Sequence, residues 1–218
     1  MGYDYSEKLN PKKALIWRIV HKDNIPWILK NGLYSSNSSV QASHWIPIGN
    51  ADLIDKRAAR SVNIDKGGTL SDYIPFYFTP FSPMLMNIQT GYGGIKKRPN
   101  EDIVILVTSL YQLQELNLPF IFTDRHAYCS LSNYYTDIAD LDKINWDIIQ
   151  KRNFKRDPDD LSKTEKYQAE ALIYKHCPVD ALKGMICYTK EIKIQLENWL
   201  QQQDKELQVY DKPEWYFS

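Results

Sequence analysis

The run Asp72-Tyr73-Ile74-Pro75-Phe76-Tyr77-Phe78-Thr79-Pro80-Phe81-Ser82-Pro83-Met84-Leu85-Met86 constrains this chain more than any other stretch. Phe76-Tyr77-Phe78 has the aromatic density of a strand. Pro75, Pro80 and Pro83 each fix φ and lack an N–H, so the segment is expected to be neither a long central strand nor a helix. A short strand breaking into a rigid bend fits, with Tyr73, Tyr77, Met84 and Met86 held on it. Core packing explains the aromatics. A preformed wall for a flat ligand also explains the prolines and methionines.

Around this segment the chain reads as strands and short helices. Ala14 to His21 is a β-rich run. Lys22-Asp23-Asn24, Pro26 and Asn31-Gly32 then bracket a short helix with capping residues, an early proline and a C-terminal glycine. His21 and Asn24 fall at that strand-to-helix joint. Leu33 to Ser39 is expected as a polar loop and Asp52 to Arg60 as a second helix bearing Lys56, Arg57 and Arg60. Lys66-Gly67-Gly68-Thr69 is a turn. Gly91-Tyr92-Gly93-Gly94 matches neither a phosphate loop nor a dinucleotide fingerprint. Ile103–Val107 and Phe120–Thr123 read as strands and Tyr111–Leu116 as a short helix. Ile138 to Arg152 reads as one amphipathic helix, with another helix starting at Asp157. Ala169–Tyr174 and Met185–Tyr188 are strands, Glu191 to Gln201 is a last helix, and Trp215-Tyr216-Phe217 is expected to fold back on the domain.

Glu170 stands where a polar stretch enters the apolar run Ala171-Leu172-Ile173-Tyr174. Most glutamates at strand starts are solvated. One at the mouth of a buried strand is costly unless something pairs with it or uses it.

The 218 residues carry 27 Lys and Arg against 27 Asp and Glu, so a protein that coats DNA by overall charge is excluded. Any nucleic-acid contact must come from a local patch. The basic run Lys151-Arg152-Asn153-Phe154-Lys155-Arg156 is the candidate. It lies in an irregular insert, about 133–168, directly before Glu170. Cys129, Cys177 and Cys187 are widely spaced and read as reduced thiols of a cytoplasmic protein. The polar start Met1-Gly2-Tyr3-Asp4-Tyr5 and the lack of a long apolar run argue against a signal peptide or membrane span. No carboxylate pair or His/Asp cluster has the spacing of a metal-dependent nuclease.

Four blocks together carry a resemblance: Arg18-Ile19-Val20-His21-x-x-Asn24 with Gly32-Leu33, Arg57 ahead of Gly67-Gly68, the Phe76-Tyr77-Phe78-x-Pro80-x-Ser82-Pro83-Met84-Leu85 string, and Gln168-Ala169-Glu170-x-Leu172-Ile173. In order and spacing the chain resembles the DarT family, DNA ADP-ribosyltransferase toxins paired with the macrodomain antitoxin DarG. The resemblance spans most of residues 14–188. It departs from the family at Val20, where members often carry Thr, at Ala171, where Phe is common, and at Lys166-Tyr167, where arginines are common.

The resemblance implies one α+β domain over residues 1–218, with two packed, mainly antiparallel sheets forming a cleft for NAD. NAD is the co-substrate and no metal is needed. The acceptor is a base in single-stranded DNA, thymidine in the branch this chain is closest to and guanosine in the sister branch. Glu170 corresponds to the catalytic glutamate and Arg57 to the partner arginine, with Arg60 as the alternative. Ile19, Val20, His21, Asn24, Tyr34, Ser35, Arg57, Tyr73, Tyr77 and Met84 are assigned to NAD. Lys151, Arg152, Phe154, Lys155, Arg156, Lys166 and Tyr167 are assigned to DNA, charges meeting phosphates and rings stacking on bases. A monomer with a DarG-like antitoxin as partner is implied. The competing readings are transfer to guanosine, RNA or protein, and, in another class, a non-catalytic single-strand-binding module.

Overall fold

The computed structural model describes residues 2–217. In chain order the strands are β1 (Leu15–His21), β2 (Leu33–Tyr34), β3 (Tyr73–Tyr77), β4 (Ile103–Ser109), β5 (Phe120–Thr123), β6 (Tyr134–Tyr135), β7 (Glu170–Tyr174), β8 (His176–Cys177), β9 (Gly184–Cys187) and β10 (Gln208–Asp211). The helices are α1 (Ile25–Asn31), α2 (Ala51–Ala58), α3 (Pro83–Thr90), α4 (Leu110–Glu115), α5 (Trp146–Gln150), α6 (Lys163–Tyr167) and α7 (Lys190–Gln202).

Eight strands follow the order β10-β9-β4-β1-β3-β7-β5-β6, while β2 and β8 form a separate ribbon. All pairings are antiparallel except β10 with β9. The eight fall into two halves. β1 pairs with β4 along its whole length, and β3 pairs with β7 along its whole length. Between β1 and β3 the register holds a single pair, Trp17 with Tyr77. Pro75 is one physical reason, since it offers no N–H to β1. The Arg18 side chain takes that place, donating from Nη1 to the Pro75 carbonyl at 2.7 Å. The cleft opens at this fork.

The core follows the strand alternation. Ile16, Trp17, Val20, Phe76, Phe78, Ile103, Val104, Ile105 and Leu106 are buried. Helix α7 covers one half with Leu196 and Leu200. The C-terminal tail returns as expected: Tyr216 donates from its hydroxyl to the carbonyls of Ile103 and Ile186 at 2.9 and 3.0 Å, and Trp215 stacks on Phe81.

Several expectations change. The proline-rich segment does bend after β3, but Pro83 then occupies the first turn of α3, where no N–H is needed, with Ser82 as cap. Met84 and Met86 therefore ride on a helix. The span 138–152 is not one helix. A tight turn over Ile138–Lys143 is followed at Asn145, whose side chain caps Ile148, by the short α5. The helix expected at Asp157 begins instead at Lys163, because Asp157 and Asp160 bond the backbone N–H groups of Asp159 and Ser162 and make turns. The loop after Gly32 contains β2, and β6 and β10 were not expected at all.

Candidate active site

Glu170 opens β7 and lies opposite Tyr77 of β3 in the register. Residues directly opposite one another share a face, so ring and carboxylate are neighbours. Glu170 is completely buried. Its Oε2 accepts from Arg57 Nη1 at 2.9 Å, and its Oε1 accepts from the Ala127 N–H at 3.1 Å. His126 Nδ1 lies 3.5 Å from Oε1. The Glu170 N–H donates to Thr123 Oγ1 at 3.2 Å, which fixes the strand start beneath the carboxylate. Burial alone pushes this carboxyl's pKa up. Arg57, His126 and the Ala127 N–H outweigh it and hold Glu170 below the ordinary glutamate value.

Arg57 is the alternative that the geometry selects. It sits in the last turn of α2, 9 % exposed, while Arg60 points away and donates to the Cys129 carbonyl at 3.1 Å. Helix α2 holds its place because the Asn50 side chain caps the Leu53 N–H. Arg57 Nη2 is buried without an acceptor among the described residues. Such a group costs of order 1–3 kcal/mol, so a ligand that reaches it gains affinity.

Two chambers flank Arg57. The first is lined by Ile19, Val20, His21, Asn24, Tyr77 and Met84 and roofed by the stretch from Trp45 to Asn50 with Leu53 and Ile54. The second is lined by Tyr34, Ser35, Ser36, Gln41, Tyr73 and Trp27. Every residue assigned to NAD from the sequence thus borders one chamber or the other. Three have duties besides. Val20 is 2 % exposed and belongs chiefly to the core. Tyr73 is equally buried and gives its hydroxyl to the Gly67 carbonyl. The Asn24 amide is occupied at both ends by Ile46, donating to its carbonyl and accepting from its N–H, each at 2.9 Å. Asn24 is a clamp on the roof. Asn24→Ala is expected to leave the chain folded while speeding hydrogen exchange at the Ile46 amide by about fivefold or more, since each of the two bonds contributes about 0.5–1.5 kcal/mol. Unchanged protection at Ile46 contradicts this.

His21 accepts the Asp23 N–H on Nδ1 at 3.2 Å. Burial is the main cause that pulls its pKa below 6.5, against the opposing pull of Asp23. A folded pKa below the unfolded one means that the unfolded chain takes up the proton first. Stability from His21 is complete above pH 6.5 and is lost as pH falls through the folded value. Stability from Glu170 is complete above 4.5 and is lost below it. The melting temperature is expected to fall in two stages on acidification, and His21→Asn removes the upper one. A wild-type melting temperature that rises between pH 7 and 5 contradicts the assignment.

The DNA set is not brought together as a stacking surface. Tyr167 is wholly buried and donates its hydroxyl to the Phe81 carbonyl at 3.0 Å. Its ring packs on Phe154, whose other neighbour is Phe217. Arg152 lies over the rings of Phe81 and Phe217, 4.3 Å from each centroid. Lys166 pairs with Asp160 and Lys151 with Asp147. Tyr167 is therefore a core aromatic rather than a base-stacking ring, Phe154 is a half-buried ring packed against it, and Arg152 is a cation on an aromatic platform. Lys155 and Arg156 stay exposed, without ion pairs among the described residues.

Sequence reasoning missed Arg18, Thr123, His126 and the roof around Trp45. His126 follows β5 as Asp124-Arg125-His126, and only the fold carries it to Glu170. Among the described residues no group of three or more His, Cys, Asp or Glu is arranged to hold a metal. No helix there is long and apolar enough to cross a membrane.

The family model "ssDNA thymidine ADP-ribosyltransferase, DarT" matches residues 17–217. A DNA ADP-ribosyl transferase of Escherichia coli O127:H6 (strain E2348/69 / EPEC) is 61% identical over 218 residues, all of both chains. One from Thermus sp. (strain 2.9) is 33% identical over 214 residues, covering 95% of this chain and 98% of that one. The solved structure of Thermus sp. 2.9 DarT in complex with ADP-ribosylated ssDNA superposes with a TM-score of 0.86 at 30% identity, covering both chains fully. Its complex with NAD+ gives 0.81 at 30% identity over 95% of this chain and 99% of that one. With a two-chambered cleft, an arginine between the chambers that is ion-paired to the buried Glu170, and these matches over the whole length, this chain belongs to the ssDNA thymidine ADP-ribosyltransferase family, DarT.

Proposed function

We propose that this protein transfers ADP-ribose from NAD to a thymidine base in single-stranded DNA, and that it acts as the toxin of a toxin–antitoxin pair. The observation that carries the reading is the buried Glu170–Arg57 ion pair, whose arginine lines both chambers of the cleft. The family match and the Thermus DarT complexes with NAD+ and with ADP-ribosylated ssDNA support it.

The residues fit a dinucleotide. The first chamber offers the Tyr77 ring beside Glu170, which suits nicotinamide. The second offers Tyr34, Trp27 and a buried Ser35 hydroxyl with no partner among the described residues, which suits the adenosine end. Bound NAD supplies an ADP-ribosyl group whose bond to nicotinamide breaks heterolytically. Glu170 stabilises the positive charge that develops on the ribose and orients the sugar through a hydroxyl. In the ligand-free geometry Arg57 covers the carboxylate, so a ribose hydroxyl reaches Glu170 when the guanidinium turns aside. That same turn removes the charge that depresses the Glu170 pKa. Glu170 thus becomes a better base as it meets the substrate, and it accepts the proton that the attacking base nitrogen loses.

A base inside a duplex cannot enter such a cleft, so a single strand is the substrate. The insert 133–168 faces the DNA in this proposal. Lys155 and Arg156 are its free cations, and Lys151 and Lys166 reach phosphates by exchanging their aspartate partners. A DarG-like macrodomain antitoxin, a cytoplasmic setting and a monomeric state complete the proposal.

Oligonucleotides differing only in one thymidine, incubated with NAD and read by intact mass, test the acceptor. The expected result is one ADP-ribose added to the thymidine-containing single strand and none to its duplex. Addition to a strand holding guanosine without thymidine, or to RNA or protein alone, replaces the thymidine reading. Binding of single strands that is indifferent to NAD and yields no adduct favours the non-catalytic module.

A further inference from the structure

The two chambers share few lining residues: Arg18, Trp45, Pro47, Ile54, Arg57 and Pro75. Four of these are apolar or form the roof. The other two are arginines, and the one carboxylate among the described residues paired with either, Glu170, is taken by Arg57. The waist of the cleft therefore holds one guanidinium, that of Arg18, without an acidic partner. We propose that Arg18 is the group that holds the pyrophosphate of the dinucleotide. This assignment rests on the NAD reading and refines it by separating the duties of the two arginines.

Three observations place Arg18 there. Its Nη1 is anchored to the Pro75 carbonyl at 2.7 Å, which fixes the guanidinium plane in the gap between β1 and β3. Its Nε–H has no acceptor among the described residues, so the fold leaves a donor of this charged group unmatched. It borders both chambers, as a group must that meets the linker between two rings. Burial, and then the neighbouring Arg57, pull its pKa down to about 10, so the cleft disfavours its charge until an anion arrives. A pyrophosphate is an anion with two phosphoryl groups, and the planar fork of an arginine matches phosphate oxygens in a way a lysine cannot. Arg57 is thereby left to cover Glu170 in the ligand-free cleft and to turn aside for the reacting ribose. Pro75 acquires a reason too: with an N–H at that position the strands would have closer pairing, and the gap that Arg18 fills would narrow.

Titration calorimetry with ADP-ribose, which carries the pyrophosphate, and adenosine, which lacks it, tests the assignment on the wild-type chain, Arg18→Gln and Arg18→Lys. The expected result is ADP-ribose affinity at least tenfold weaker in Arg18→Gln, intermediate in Arg18→Lys, and adenosine affinity unchanged in both. Equal losses for both ligands make Arg18 a strut of the fork and overturn the proposal, as does unchanged ADP-ribose affinity. Should both variants fail to fold, the Arg18 Nε–H resonance of the wild-type protein decides: it moves with ADP-ribose and not with adenosine, or the proposal fails. A wild-type chain that binds neither NAD nor ADP-ribose is a separate outcome, which overturns the NAD reading itself.

Discussion

Arg57→Ala is expected to lower the melting temperature by roughly 6–20 °C at pH 7. Glu170 is fully buried, and among the described residues Arg57 is its one charged hydrogen-bond donor, at 2.9 Å. Removing one member of such a pair costs about 3–5 kcal/mol, because the other charge is left uncompensated, and a domain of this size shifts by about 2–4 °C per kcal/mol. The pH dependence should also change. In the wild-type chain the folded Glu170 pKa lies below 4.5, so its stabilisation is lost as pH falls. Burial raises this carboxyl's pKa and Arg57 is the largest influence opposing it, so the folded pKa rises when Arg57 is removed. The gap between folded and unfolded values then closes from below, and less stability is lost on acidification. Thermal melts of both proteins between pH 4 and 8 check this. Parallel profiles contradict the central role given to the pair.

Glu170→Gln is expected to lower the turnover of DNA ADP-ribosylation by about two to three orders of magnitude, the usual effect of removing one preorganised electrostatic contact at a developing charge. Glutamine keeps the shape and still accepts the Ala127 N–H, so the chain should fold. NAD affinity should change far less than turnover, because Glu170 is buried behind Arg57 in the ligand-free cleft. A fall in NAD affinity with turnover intact would make Glu170 a binding residue instead.

The parts of this site that sequence made legible are those with local signatures. The β1 to α1 joint announced itself by His21, Asn24, Pro26 and Gly32, each with a conformational or capping duty within a few residues. Glu170 stood out because a carboxylate at the mouth of an apolar strand needs a partner. Its partner was narrowed to two arginines one helical turn apart, and only the packing of α2 decided between them. The parts that were illegible depend on distant pairs. The roof at Trp45–Asn50 contains no helix or strand and is held by Asn24 across 22 residues. His126 reaches Glu170 through the β5–β7 pairing. β2, β6 and β10 are short strands whose existence depends on partners elsewhere in the chain. The basic run misled in a physical way. Arg152, Phe154 and Tyr167 look like a nucleic-acid surface in sequence, but the returning tail with Phe217 gives them an aromatic cluster to join.

Transfer of ADP-ribose through the Glu170–Arg57 pair is tested most directly by intact-mass analysis of a thymidine-containing single strand after incubation with NAD and either the wild-type chain or Glu170→Gln at equal NAD occupancy. The expected result is a strand heavier by one ADP-ribose with the wild-type chain and an unmodified strand with the variant over the same interval. An unmodified strand with the wild-type chain, or equal modification by both proteins, contradicts it.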